Sequence, residues 1–238
     1  MKSRYVGRFA PSPTGELHFG SLVAAVASYA DAKSHNGSWL LRIDDIDQPR
    51  SVGGSSESII AALKAFGFQW DGPIRWQSER EHHYQAAIAY LHNQSLTYPC
   101  RCSRRQIEKT AHDGVAGLVY PGTCREWNGA SAEQVAIRML TKNVQVTATD
   151  RIVGDITQNL EADIGDFIIF RADGITAYQL AVVVDDFLDN VTHVVRGADL
   201  VLSTPRQVYL QDKLNYPVLQ YAHVPLVRDT EGAKISKR

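Results

Sequence analysis

The chain has 238 residues, 44% of them hydrophobic, which is enough for one large or two small domains with real cores. Its 25 basic residues nearly balance 26 acidic ones, which argues against gripping nucleic acid through global positive charge. No apolar signal region precedes the first strand, and no apolar run approaches the ~20 residues that span a bilayer. We therefore expect a cytoplasmic protein without membrane contact.

The segment Arg8–Ser21, RFAPSPTGELHFGS, predicts a strand, a tight turn and the start of a helix. Tyr5–Phe9 is typical of a short strand, and an alanine-rich helix follows from about Gly20. Such a junction is where α/β enzymes hold nucleotides. His18, inside the turn, could donate to a phosphate, or it could be an ordinary surface histidine.

The rest of the first half alternates strands and helices. The predicted elements are a helix at Ser21–Ala32, a strand at Trp39–Ile43, a helix at Glu57–Phe66 and a helix at Ser78–Leu96 with Ser78 as its N-cap.

The pattern changes at Tyr98, where a loop containing cysteine and glycine begins. Short alternating runs after it predict antiparallel strands at Val135–Leu140, Val144–Ala148, Ile152–Ile156 and Asp166–Phe170.

The α/β pattern then returns with a continuous apolar run, YQLAVVVD at Tyr178–Asp185, which predicts a buried parallel strand. Asp185 and Asp186 would then lie at a sheet edge facing the cleft. The later predictions are a strand at Val191–Val195, a helix from Ser203-Thr204-Pro205 to about Leu214, and a strand at His223–Val227.

The simplest organisation is one α/β nucleotide-binding domain interrupted by a smaller insertion. Residues 1–97 would form its first half, residues 98–176 the inserted α+β subdomain, and residues 177–238 the second half.

The three cysteines, Cys100, Cys102 and Cys124, are an odd number in a short stretch and do not suggest a disulfide framework. Three soft ligands fit Zn²⁺, whose structural sites have four ligands. His112 is chemically the commoner fourth ligand. The alternative is three free thiols in a loop.

Two short motifs at opposite ends of the chain resemble the paired signatures of class I aminoacyl-tRNA synthetases. ELHFG at Glu16–Gly20 is similar to the HIGH motif, and KISKR at Lys234–Arg238 is similar to the KMSKS loop. RFAPSPTG, LRIDDID, AVVVDD and VVRGADL–STPRQ resemble the glutamyl-tRNA synthetase family. YQLAVVVDD, RGADL and YPGTC are closer to its glutamyl-queuosine tRNA(Asp) synthetase branch, which lacks an anticodon-binding domain.

The resemblance implies a Rossmann-type class I synthetase catalytic domain, of α/β class, with an inserted zinc-bearing α+β subdomain. It also implies an ATP site. His18 and Lys237 would be catalytic, Gly20 would let adenosine approach the backbone, and Lys234 would assist Lys237 at the departing pyrophosphate. ATP would be a substrate, together with Mg²⁺.

The same resemblance implies a pocket for L-glutamate, whose carboxylate an arginine fork matches best. The family usually has Glu where this chain has Asp44, which is one methylene shorter and leaves its reach to the ammonium open. The implied glutamate-binding residues are Arg8, Ala10, Ser12, Asp44, Tyr178 and Arg196. For the metal, the resemblance favours Tyr120 over His112 as the fourth ligand beside the cysteines.

The expected activity is ATP-dependent formation of glutamyl-adenylate and transfer of glutamate to the queuosine base of tRNA(Asp), by a monomer. The alternatives are a catalytic fragment of an ordinary glutamyl-tRNA synthetase and a non-catalytic module that binds glutamate, ATP or tRNA. Because the sequence stops at Arg238, inside the loop motif, we expect weak or absent turnover from this chain.

Overall fold

A computed structural model of the protein describes residues 5–127 and 134–228. The strands are β1 Val6–Phe9, β2 Ser38–Ile43, β3 Arg75–Trp76, β4 Thr97–Cys100, β5 His112–Gly114, β6 Gly117–Val119, β7 Ala136–Met139, β8 Gln145–Asp150, β9 Gly154–Asn159, β10 Ile168–Phe170, β11 His193–Gly197 and β12 Gln220–Val224. The α-helices are α1 Phe19–Ser34, α2 Ser55–Ala65, α3 Glu81–Asn93, α4 Arg104–Glu108, α5 Leu160–Asp163, α6 Tyr178–Leu188 and α7 Thr204–Lys213. Three short 3₁₀ helices lie at Gln48–Arg50, Gln77–Glu79 and Ala198–Ser203.

Parallel strands from both ends of the chain lie side by side. Strands β1, β2 and β3 form a parallel sheet in that order. The Thr192 N–H donates to the Val6 carbonyl over 2.9 Å, just before β11, and so brings β11 beside β1. Strand β12 is parallel to β11. The predicted α/β class is therefore confirmed.

The middle of the chain contains the expected antiparallel strands. Strands β10, β7 and β4 form one antiparallel sheet, and β5 and β6 form a hairpin. Strands β8 and β9 are also antiparallel to each other, but β8 continues the sheet of β11 and β12. The boundaries drawn at residues 98 and 176 stay a prediction.

The prediction of a strand at Tyr178–Asp185 is wrong, because this segment belongs to helix α6. Every residue from Leu180 to Asp186 is buried, and those from Leu180 to Val184 are all apolar, so this part of the helix has no solvent-facing polar side. A short apolar run does not distinguish a buried strand from a buried helix by its period alone. Asp185 and Asp186 consequently lie inside the protein and not at a sheet edge.

The prediction of Ser78 as a helix N-cap is also wrong. Helix α3 begins at Glu81, and Ser78 lies in the preceding 3₁₀ helix. Its N–H and hydroxyl both donate to the Asp45 carboxylate, over 2.9 and 2.7 Å. Ser78 therefore ties this turn to the end of β2 instead of capping the helix.

The last strands are displaced from their predicted positions. Strand β11 begins two residues later than expected, at His193, and β12 begins three residues earlier, at Gln220. Within residues 5–127 and 134–228, no helix has the length and apolar character that crossing a membrane requires.

A buried arginine joins β2 to α6. Arg42 has no exposed side-chain surface; its Nε donates to Asp44 over 2.7 Å and its Nη1 to Asp186 over 2.8 Å. Its Nε also lies 3.6 Å from Asp185. Burial alone would lower the pKa of Arg42, but these carboxylates hold it well above its usual value. The cluster therefore keeps its charges paired out of water.

Helix α3 enters the same cluster from the other side. Arg80 donates to Asp185 over 3.0 Å and to Asp189 over 2.8 Å. Tyr84, which is fully buried, donates to Asp185 over 2.9 Å. The carboxylates of α6 thus receive donors from β2 and from α3, which fixes the helix between them.

We expect Arg42→Met to lower the free energy of unfolding by about 3–5 kcal/mol, because it leaves buried carboxylates without their cation. Urea unfolding followed by circular dichroism measures this difference.

Arg50→Met is the matched control, since Arg50 is 72% exposed and pairs with Asp47 at the surface. It should change the free energy of unfolding by at most about 1 kcal/mol. Equal losses in the two variants would contradict the role given to Arg42.

Candidate active site

A cavity of about 360 Å³ opens at the carboxyl ends of β1, β11 and β12. This is the position at which parallel sheets of α/β enzymes bind ligands. Eight residues predicted to bind ATP or glutamate line this one cavity: Arg8, Ala10, Ser12, His18, Gly20, Asp44, Tyr178 and Arg196. The structure therefore brings together residues from four separated segments of the chain.

His18 is the N-cap of helix α1. Its Nδ1 accepts the Ser21 N–H over 3.2 Å, so the proton of the neutral ring is on Nε2. Nε2 lies 2.9 Å from the Ser21 hydroxyl, which can accept that proton. His18 thus has a structural role in the turn, and its one N–H donor, at the cavity wall, is shared with the Ser21 hydroxyl.

Arg196 carries a buried positive charge at the cavity, with 5% of the residue exposed. Its hydrogen bonds go to neutral acceptors: His223 Nε2 at 3.0 Å, the Thr204 hydroxyl at 2.9 Å, and, more weakly at 3.4 Å, the Tyr178 hydroxyl and the Leu200 carbonyl. Among the described residues no carboxylate pairs with Arg196. A buried cation of this kind favours an anionic ligand.

Arg8 is equally buried but is already paired. Its Nε and Nη2 donate to the two oxygens of Asp186, over 3.2 and 3.4 Å. Asp186 also accepts from Arg42. Burial would raise the pKa of Asp186, but Arg8 and Arg42 together hold it below its usual value. Asp186 therefore stays ionised and orients Arg8 along the cavity wall.

Asp44 adds a carboxylate to the same cavity. Its Oδ1 accepts from Arg42 over 2.7 Å. Burial nevertheless raises the pKa of Asp44 to about 6, against the opposing effect of Arg42. This carboxylate therefore changes its charge close to neutral pH.

The three cysteines meet in a separate cluster, with their sulfur atoms all within 4.8 Å of one another. The Tyr120 hydroxyl lies 3.4 Å from Cys100 Sγ and 3.5 Å from Cys102 Sγ. His112 is exposed, and its Nε2 lies 3.3 Å from the Ala162 carbonyl. The three thiols fit a thiophilic metal ion. The oxygen that lies beside them is that of Tyr120, whereas His112 is directed to another part of the chain.

Lys234 and Lys237 lie outside the described residues, so their roles stay predictions from the motif. Among the groups that hold the arginines of the cavity, sequence reasoning placed Asp186 at a sheet edge and missed His223 and Asp150. For Asp186 the sequence contained a signal that its segment is a helix and not a strand. The neighbouring Asp185 and Asp189 have the i, i+4 spacing of a helix face. For His223 and Asp150 the local sequence offers none.

Comparison with known proteins extends over the whole fold. The chain matches the family "tRNA synthetases class I (E and Q), catalytic domain" over residues 5–238. The fold is similar to a crystal structure of a glutamate tRNA ligase from Elizabethkingia meningosepticum CCUG26117 in complex with its amino acid. That similarity has a TM-score of 0.84 and 27% identity, and covers 98% of this chain. The chain spans about half the length of that ligase, with 52% covered.

The chain belongs to the catalytic domains of the class I tRNA synthetases for glutamate and glutamine, which are ligases. Two curated relatives are "Glutamyl-Q tRNA(Asp) synthetase" of Thiobacillus denitrificans, 51% identical over 98% of this chain and 77% of the relative, and that of Burkholderia mallei, 53% identical over 99% and 81%. Within the class, the chain is therefore a member of the glutamyl-Q tRNA(Asp) synthetase family, as the sequence motifs predict.

The raised pKa of Asp44 gives a pH-dependent stability. The Asp44 carboxyl keeps its proton up to about pH 6 in the folded protein, but only up to about pH 3.8 in the unfolded chain. The stabilising contribution is full below pH 3.8 and is lost as the pH rises through about 6.

In Asp44→Asn this contribution is absent at every pH. The difference in unfolding free energy between the variant and the wild type should therefore change by up to about 3 kcal/mol between pH 4 and 7. Urea unfolding across that range measures it, and parallel pH curves for the two proteins would contradict the assignment.

Proposed function

We propose that this protein activates L-glutamate with ATP to glutamyl-adenylate and transfers the glutamyl group to queuosine in the anticodon of tRNA(Asp). Membership of the glutamyl-Q tRNA(Asp) synthetase family supports both steps. The structural neighbour in complex with its amino acid is a glutamate tRNA ligase, which supports glutamate as the activated substrate.

The observation that carries the proposal is the unpaired charge of Arg196. A substrate carboxylate at Arg196 would complete an ion pair that the described residues leave open, with the Tyr178 hydroxyl beside it at 3.4 Å. A glutamine amide carries no charge and would leave the guanidinium unpaired, so the site would reject it. Arg8 would contact the same substrate as a second, already compensated donor.

The Asp44 carboxylate would hold the ammonium group of the substrate. Asp44 is one of two acidic residues in the lining, the other being Asp199, and its ionised form would attract the ammonium, while Ala10 and Ser12 line the segment next to it. Because Arg42 holds the Asp44 carboxylate from behind, the shorter side chain keeps a defined direction. Asp44 would therefore perform the task of the Glu usual in the family.

The ATP side of the cavity would use the start of helix α1. His18 Nε2 would donate to phosphate oxygens as negative charge builds on them, and Gly20 would admit the adenosine. Lys234 and Lys237 would stabilise the departing pyrophosphate from the loop motif. Bound Mg²⁺ would neutralise phosphate charge.

The acceptor, tRNA(Asp) carrying queuosine, rests on the names of the relatives and not on a residue of the cavity. The proposal includes a cytoplasmic location, since tRNA is the acceptor, and action as a monomer. The division into residues 1–97, 98–176 and 177–238 is part of the proposal too, with β8 as the strand that links the insertion to the second half.

We propose Zn²⁺ as the metal ion of the cysteine cluster. The residues that would hold it are Cys100, Cys102, Cys124 and Tyr120, and the ion would join β4 to the loop around residues 120–124. Its role would be structural, because these residues form a cluster of their own and none of them lines the cavity.

ATP–pyrophosphate exchange tests the activation step, and transfer of labelled glutamate to tRNA(Asp) with and without queuosine tests the acceptor. We expect exchange with glutamate, and transfer only to the queuosine-bearing tRNA. Arg196→Met should weaken glutamate binding by about 100-fold, since it removes charged hydrogen bonds. Charging of tRNA(Glu) at its 3′ end would contradict the acceptor, and binding without exchange would favour a non-catalytic module.

Metal analysis after dialysis against a mild chelator tests the fourth ligand. We expect about one zinc ion per chain in the wild type. Tyr120→Phe should lose zinc at about tenfold lower chelator concentration, because the ring stays and only the oxygen is removed. His112→Ala is the control and should retain zinc as the wild type does; the reverse order would assign the ligand to His112.

A further inference from the structure

Next to Arg196, on the side away from the cavity, lie two buried residues, His223 and Asp150, that the proposed reaction does not use. His223 on β12 and Asp150 on β8 have no exposed side-chain surface, and neither lines the cavity. His223 is the cross-strand neighbour of Arg196, and Tyr221 of the same strand pairs with Asp150. Three adjacent parallel strands thus place the three side chains in a row.

The hydrogen bonds of this row fix the form of the histidine. Asp150 Oδ2 lies 2.7 Å from His223 Nδ1, and Asp150 Oδ1 accepts the N–H groups of Ile152 and Val153, each over 2.9 Å. The carboxylate is therefore ionised, and Nδ1 of His223 carries the proton. Nε2 is left with its lone pair, which accepts the Nε–H of Arg196 over 3.0 Å.

Thr204 completes the environment of the guanidinium. Its hydroxyl accepts from Arg196 Nη2 over 2.9 Å and lies 3.2 Å from His223 Nε2. The order Thr204, His223, Asp150 is that of a nucleophile, a base and an acid. All three residues are buried and outside the cavity lining, so no substrate reaches them, and their role is to hold Arg196.

Because the His223 ring is neutral, it does not offset the charge of Arg196. Arg8 is held directly by the carboxylate of Asp186, which offsets its charge. Arg196 is held just as firmly, but the imidazole ring stands between it and the carboxylate of Asp150. The guanidinium is therefore oriented without being neutralised.

We propose that His223, itself held by Asp150, is the positioning residue that aims Arg196 at the substrate carboxylate and leaves its positive charge for the substrate. This inference rests on the proposed function in that the carboxylate is taken to be that of glutamate.

Two substitutions separate the functions of the two ring nitrogens. In His223→Asn the amide can replace Nδ1 as donor to Asp150, but no atom replaces Nε2. In His223→Gln the longer side chain can place its amide oxygen near Nε2 and accept from Arg196. We expect glutamate affinity, measured by calorimetry, to fall about tenfold or more in His223→Asn and to recover to within about threefold of wild type in His223→Gln.

ATP affinity and the melting temperature of the two variants distinguish a positioning role of His223 from a general effect on folding. ATP affinity should stay within about twofold of wild type in both variants. Loss of glutamate and ATP binding together, or equal losses in the two variants, would mean a structural role only and would overturn the proposal. Unchanged glutamate affinity in His223→Asn would overturn it as well.

A measurement on the ligand-free wild type keeps this inference distinct from the proposed function. Nitrogen-15 NMR of the histidine rings should show His223 protonated on Nδ1 alone. A ring protonated on Nε2, or on both nitrogens, would overturn the positioning geometry whatever the substrate. If the wild type binds no glutamate while the ring has the expected form, the proposed function fails and the substrate of Arg196 has to be a different carboxylate.

Discussion

The fold depends on a single cation that water does not reach. Arg42 leaves β2 and meets carboxylates of Asp44, Asp185 and Asp186, so that one side chain links the central sheet to helix α6. A charge buried in this way is tolerated only when its partners are complete, because its desolvation is large. The same partners line or support the cavity, so the interaction that orders the core also sets the wall of the site.

The two arginines of the cavity are held in different ways, and the selectivity that we propose for the site depends on this difference. Asp186 orients Arg8 and cancels much of its charge, whereas neutral acceptors orient Arg196 and leave its charge in place. A pocket with two uncompensated buried cations would be costly to fold, and one without any would bind a carboxylate weakly. The structure lies between these extremes: Arg8 supplies a fixed donor, and Arg196 supplies the charge.

The middle of the chain contributes more than the cysteine cluster. The cysteine cluster and the antiparallel strands β4, β7 and β10 lie away from the cavity, as local patterns suggest. Strand β8 instead joins the sheet of β11 and β12, where Asp150 contacts His223. Strand pairing therefore lets a residue from the segment between the two halves act on the site without touching it.

The sequence by itself determined the α/β class, the strand and turn around His18, the family and the set of residues around the cavity, because ordered motifs such as RFAPSPTG and RGADL carry that information locally. It did not determine that Tyr178–Leu188 is a helix, since a buried apolar run has no distinguishing period. Nor did it show which carboxylate meets which arginine. Only the tertiary structure decided those pairings. Whether a carboxylate offsets the charge of Arg8, Arg42 or Arg196 depends chiefly on residues that are distant in the chain. Strand pairing and the burial of α6 bring these residues together.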